Sequence, residues 1–354
     1  MTTTHTAPAP RPPGHRDEID WAKGFAILCV LLIHARPLVG WPVHDYVIDR
    51  AVPMFLTLFG LTSEYWWQRH GDPLPRGALR RWLGGRLRRL MPPVWVVVAV
   101  YWCLVLASPS AHLATPLSVA ASVAGLVPSM GTFWFVTLIL QWILLFPAVR
   151  WCVVALGALP CVALSLAINY ATHWYCLDVM EIVEPVIRPV GQPHEFYHFW
   201  IFPTQYVFLV VCGIAVGRMP GAWRPAARGF ALLALAAGVY VHATLVTNFG
   251  FTCSREGFLR LVDVPLTLSL LSLLALLRPW SARLRWLRWC GLSSWGLYLG
   301  QLLVHESLHL FGIVPEQAAL PIRWLYFVAL LAGALLLVAV GSAVRRRLPL
   351  EVLR

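Results

Sequence analysis

The chain has 354 residues, 59% of them hydrophobic and only 12% charged, with a formal charge of +12. A soluble core needs far less apolar sequence, so repeated apolar runs of about seventeen residues or more mark a polytopic membrane protein. The positive balance does not point to nucleic acid, because the arginines sit in short connections between apolar runs, as the positive-inside rule expects.

Residues 1–16 are rich in Thr, Ala and Pro and are expected to be a disordered tail. They carry no apolar h-region, so the first span is expected to act as an uncleaved anchor rather than a signal peptide. Spans are predicted near 24–41, 51–67, 92–109, 131–149, 151–170, 199–217, 229–247, 261–277, 290–310 and 324–344. Arg69, Arg76, Arg80, Arg81, Arg86, Arg88 and Arg89 crowd one connection. Arg218, Arg224 and Arg228 lie in a second, Arg278, Arg283, Arg285 and Arg288 in a third, and Arg345, Arg346 and Arg347 close the last span. All fall on the cytoplasmic side if there are ten spans and both termini are inside. The apolar stretch 110–128 would upset that assignment as a span, so a re-entrant or interfacial segment is expected there.

The fold class is therefore all-α, a bundle of about ten transmembrane helices with both termini cytoplasmic. Residues 17–347 form one transmembrane domain and 348–354 a short cytoplasmic tail. Six cysteines fall in or at the edges of spans. Cys176 and Cys253 fall in outer connections, where a disulfide between them is one alternative.

Lys23 is the only lysine, and it precedes His34 by eleven residues inside the first apolar segment. Eleven residues make almost three helical turns, so the two side chains share a face, to within roughly 20°, and lie about 16 Å apart along the axis. That is about half a bilayer core. A cation at one surface is thus aligned with an imidazole deep in the membrane, a layout suited to a long acyl carrier with phosphates at one end. An ionisable residue deep in a span is a functional candidate by default, against the alternative of a structural interhelical hydrogen bond. A neutral imidazole there can serve as general base toward a hydroxyl.

Arg86 and Arg89 are three apart and would share a helical face. Guanidinium forks bind phosphate bidentately, although plain positive-inside charge accounts for the same residues. Glu64, near the inner end of the second span, either faces Arg86 or reaches to water. In the long outer connection, His194-Glu195-Phe196-Tyr197-His198 matches H-E-x-x-H, the spacing that puts two zinc ligands beside a general-base Glu on a helix. No third ligand is evident. Asp263 is the best offer and a weak one, and the alternatives for Glu195 and His198 are an ordinary solvated loop or a loop whose side chains hydrogen-bond hydroxyl groups. His305 and Glu306 would form a polar pair near the outer end of the ninth span.

These residues resemble the membrane-bound acyltransferase 3 family. Its first span carries an Arg or Lys separated by ten residues from a His, as Lys23 and His34 are. An R-x-x-R motif precedes its third span, as Arg86 and Arg89 do. A Trp-Phe pair enters a later span, as in Gly131-Thr132-Phe133-Trp134-Phe135. Its penultimate span tends to read S-x-x-I-Y-L-x-H, similar to Ser294 through Gln301. Two positions depart from the pattern. The His after Tyr-Leu is Gln301, with His305 one turn on, and the common Ser-Gly of the second span is Phe59-Gly60.

The resemblance implies an acyl-CoA-dependent O-acyltransferase of a bacterial inner membrane. Acyl-CoA, with acetyl the usual group, would be co-substrate, its phosphates bound by Lys23, Arg86 and Arg89. His34 would be the base, with Lys23 assisting. Trp134, Glu195, His198, Tyr298 and Gln301 would contact a glycan or glycosylated acceptor outside the cytoplasm. No metal and no nucleic-acid partner are expected. The alternatives are a transporter of an acyl or glycan intermediate and a zinc protease built on His194, Glu195 and His198.

Overall fold

The computed structural model describes residues 16–41, 43–70, 77–108, 115–125, 133–175, 202–219, 232, 236, 252–315 and 318–347. Every regular element among them is helical. Three helices are long and apolar enough to cross a membrane by length and composition: Ala78–Leu106, Trp134–Leu156 and Leu320–Ala343.

α1 covers Asp17–Ala35 and starts seven residues earlier than the apolar run alone predicts. Its first turn carries Asp17, Glu18 and Asp20, which favour the positive end of the helix dipole. It stops at Arg36, which adopts the left-handed conformation (φ 55°), because Pro37 disfavours the α region in the residue before it. α2 covers Ala51–His70 and α3 Ala78–Leu106. The helix α3 begins fourteen residues before the predicted third span, so Arg80, Arg81, Arg86, Arg88 and Arg89 lie on a continuous helix and not in a loop. Trp82 anchors this extension: its ring stacks on Phe146 at 5.2 Å and its indole N–H donates to the Ile143 carbonyl at 3.0 Å.

Within the stretch 110–128, the described residues form α4, Pro116–Val123. Eight residues span about 12 Å, too short to cross a bilayer. Thr115 caps its N-terminus, and the Trp95 indole ties it to α3 by donating to the Val123 carbonyl at 3.0 Å. α5 (Trp134–Leu156) and α6 (Ala158–Trp174) are separated only by Gly157, whose φ of +89° ends one helix and turns the chain into the next. Arg150, expected between the two spans, is instead inside α5.

The remaining helices are α7 (Val207–Arg218), α8 (Thr252–Leu276), α9 (Arg285–Leu292), α10 (Ser294–Leu310) and α11 (Leu320–Arg347). The predicted span 229–247 lies outside the described residues but for residues 232 and 236, as do the tails 1–15 and 348–354. The Cys176–Cys253 pairing also lies outside the described side chains. Cys29, Cys103, Cys152, Cys161, Cys212 and Cys290 are free thiols.

Small residues set the closest helix contacts. A Cβ on Gly24 would strike the Leu287 carbonyl, and one on Gly291 the Asp20 carbonyl, so α1 and α9 cross backbone to backbone. Gly60 and Gly213 do the same for α2 and α7, while Gly300 brings α10 onto the Ala334 backbone of α11 and Gly333 makes room for the Val304 side chain. Without a hydrophobic drive between helices in lipid, such close approach supplies the packing attraction. Gly24→Ala is therefore expected to destabilise by about 1–3 kcal/mol, as overpacking does. Gly85→Ala on α3, where a Cβ meets nothing within 4 Å, is expected to hold or raise stability. Thermal unfolding of the two purified variants in detergent checks the contrast.

An ion cluster locks the helix ends together. Glu64 on α2 is fully buried and accepts from Arg150 Nε on α5 at 2.7 Å and from an Arg218 guanidinium nitrogen at the end of α7 at 2.9 Å. Gln68 donates to the same carboxylate at 3.0 Å and to the Gly217 carbonyl at 3.2 Å. Glu64 thus faces Arg150 and Arg218, not Arg86, and it does not reach water. The Arg150 guanidinium also lies over the Trp67 ring, 5.4 Å from its centroid.

Candidate active site

α1, α2, α3, α5, α9 and α10 enclose a cavity of about 290 Å³. Its polar mouth carries Asp20, Lys23, Arg86 and Arg89. Val30, Val52, Phe55, Phe59, Phe135, Ile139 and Tyr298 make the apolar remainder. The structure therefore brings the three cations predicted from sequence to one place, although they come from two helices separated by all of α2. Arg89 is exposed, so this end opens to the surface.

Arg86 is held in shape before any ligand arrives. Its guanidinium lies over the Trp82 ring at 4.4 Å and the Phe59 ring at 5.7 Å, and donates to Ser63 Oγ at 3.4 Å. Stacking on aromatic faces leaves the in-plane N–H groups free to meet an anion. Asp20 is drawn off by α9: Arg288 Nε is 3.8 Å from its carboxylate and 3.1 Å from that of Asp17. The cavity mouth is cationic on balance. The Trp295 indole donates to the Leu90 carbonyl at 3.2 Å, fixing the start of α10 against the basic segment of α3.

His34 is not part of the cavity wall. It lies one turn beyond Val30 on α1, half-buried, with its ring 4.7 Å from that of His305 on α10. His305 in turn is 4.3 Å from the His309 ring, and its Nδ1 shares a 2.8 Å hydrogen bond with the Tyr326 hydroxyl of α11. The sequence reading placed His305 in a polar pair with Glu306 at the cavity mouth, whereas the structure sets it against His34. Spacing along α10 could have suggested this, since His305 is eleven residues after Ser294 just as His34 is eleven after Lys23. Ser294 and Lys23 line the same cavity, so the two helices run side by side in one direction and in register.

The other predicted residues divide. Tyr298 lines the cavity, stacked on Trp295 at 5.7 Å and edge-on to Phe135 at 5.5 Å. Gln301 is fully buried one turn beyond it. Trp134 is not on the cavity wall; it stacks on Tyr206 at 6.3 Å. His194, Glu195 and His198 lie outside the described residues. Asp263, the candidate third zinc ligand, is buried 3.9 Å from an Arg50 guanidinium nitrogen. Among the described residues, no group of three His, Cys, Asp or Glu is arranged to hold a metal ion.

Long apolar helices and an internal cavity with a cationic mouth are the features of a polytopic membrane protein. A family model described as an acyltransferase domain matches residues 16–343, nearly the whole chain. The chain belongs to the acyltransferase 3 family and is a membrane acyltransferase. No curated protein and no solved structure matches it.

Proposed function

We propose that the protein moves an acyl group, acetyl being the first expectation, from cytoplasmic acyl-CoA to a hydroxyl of a glycan or glycosylated metabolite outside the cytoplasm. The observation that carries this reading is that Lys23, Arg86 and Arg89 line one cavity, which extends along α1 as far as Val30, one turn short of His34. Phosphates bind at the cationic mouth, where Arg86 is already oriented, and the pantetheine arm extends along the apolar wall. The volume is at the low end for small-molecule sites, roughly 300–1,000 Å³, and suits the arm of a carrier rather than the whole of it.

The acceptor hydroxyl meets the acyl carbon near His34, whose imidazole takes its proton as the oxygen attacks. The bond to sulfur then breaks, the thiolate recovers that proton, and an ester and a free thiol result. Alignment of the two substrates supplies much of the rate and the base the remainder. On this reading the chain threads a bacterial inner membrane ten times with both termini in the cytoplasm, which puts the donor and acceptor on opposite faces.

Transfer of radiolabel from acetyl-CoA to glycan and lipid in membranes expressing the protein tests the proposal. Incorporation above that of empty membranes is expected, and its absence across donors and acceptors counts against it. Arg86→Ala is expected to raise KM for acyl-CoA by about 10-fold or more while kcat holds, because a charge-assisted phosphate contact contributes about 1.5–3 kcal/mol to binding. An unchanged KM would remove Arg86 from the phosphate site.

A further inference from the structure

Gln301 is fully buried on α10, and among the described residues neither its Nε2 nor its Oε1 has a hydrogen-bond partner. An amide buried without partners costs stability, and completion by a ligand is one physical reason for a fold to retain it. Its position says which ligand. Gln301 follows Ser294 by seven residues, and Val30 follows Lys23 by seven, so in the shared register of α10 and α1 Gln301 is level with Val30, the cavity residue nearest His34 along α1. It is one turn past Tyr298, which lines the cavity, and one turn before His305, whose ring touches that of His34. Tyr298, Gln301 and His305 make one row along α10, with spacings of three and four residues. Gln301 itself is not on the cavity wall; along α10 it lies between Tyr298, the last cavity residue of that helix, and His305, which meets the base.

We infer that the Gln301 carboxamide donates a hydrogen bond to the acyl carbonyl oxygen of the donor and stabilises the oxyanion of the tetrahedral intermediate. This rests on the acyl-CoA reading above. As the acceptor oxygen bonds to the carbonyl carbon, its proton goes to His34 and the carbonyl π pair moves onto oxygen, where the Gln301 N–H meets it. The pair returns as the carbon–sulfur bond breaks, the sulfur leaves with its electrons, and His34 gives the proton to it. A preorganised donor in a water-poor site is one of the larger catalytic terms available to an enzyme. An amide supplies a donor there whatever the protonation of the nearby His34, His305 and His309 imidazoles.

The test uses the full-length protein and acetyl-CoA carrying carbon-13 at the carbonyl, with Gln301→Met as a near-isosteric variant that lacks any donor. Isotope-edited infrared spectra of the bound probe are expected to show the carbonyl stretch lowered in wild type and shifted back up in Gln301→Met. The variant is expected to lose about 10²–10³-fold in kcat, the range for removing one oxyanion donor, with little change in KM. Its thermal midpoint is expected to hold or rise, because the unpartnered amide is gone. A fall in kcat with an unmoved carbonyl stretch would mark Gln301 as structural and overturn the assignment, as would full activity in Gln301→Met. Gln301→Asn, which keeps a donor on a shorter stem, is expected to recover part of the rate, and no recovery counts against the donor role. If acetyl-CoA and longer acyl-CoAs fail to bind wild type at all, the donor reading falls first and the Gln301 assignment with it.

Discussion

His34→Ala is expected to reduce acyl transfer by about 10²–10⁴-fold, the usual worth of a positioned general base. The expectation rests on position. The ring lies one turn beyond the cavity wall, half-buried, in contact with His305 and in line with the cations at the far end. Acyl-CoA affinity should stay close to wild type, since the cavity ends short of His34, so the loss belongs in kcat. Equilibrium binding of radiolabelled acetyl-CoA beside the transfer assay separates the two quantities. A variant that binds the donor normally yet transfers nothing supports the base. Unaltered labelling of the acceptor would sink it and turn attention to His194, Glu195 and His198. The rival transporter reading predicts that wild-type membranes move an unmodified solute, which the same labelled products exclude or reveal.

The largest effect on stability is expected at Glu64. Its carboxylate is fully buried and holds Arg150 of α5 and Arg218 at the end of α7 at once. Glu64→Ala removes the carboxylate that meets the Arg150 guanidinium, itself only 4% exposed, at 2.7 Å. Removing one member of such a pair costs about 3–5 kcal/mol, whereas replacing both by apolar groups of similar size is close to neutral. Thermal unfolding in detergent is therefore expected to show a large drop in Glu64→Ala and recovery of most of it in the double variant Glu64→Met, Arg150→Met. Arg218 is less demanding, because its side chain is 33% exposed and can reach solvent. Equal losses in the single and double variants would mean that the charge pair itself, and not the cost of a buried arginine that has lost Glu64, carries the stability.

The alignment of Lys23 with His34 was legible from helical geometry, because both lie on one helix and the 3.6-residue period fixes their shared face. The same period made Arg86 and Arg89 neighbours. The chain of arginines was readable as charge but not as structure: only the packing of Trp82 against Phe146 reveals that the basic segment is the first part of α3. The connection between α5 and α6 lies later than the arginine suggests, because α5 keeps Arg150 inside a helix. Its partner Glu64 is 86 residues away in sequence, and nothing local announces the pair.

By itself the sequence determined the all-helical membrane class, the family, and the in-line cation and imidazole of the first helix. These follow from local quantities, namely apolar run length, arginine placement and side-chain period along a single helix. Only the tertiary structure decided which helices are neighbours. It set α10 beside α1 in register, so that His305 meets His34 and Gln301 stands level with the end of the cavity, and it gave Glu64 to Arg150 rather than Arg86. The physical reason is that glycine contacts, such as Gly24 against Leu287 and Gly291 against Asp20, let particular backbones approach. Which small residues meet is a property of two helices together, and one stretch of sequence does not carry it.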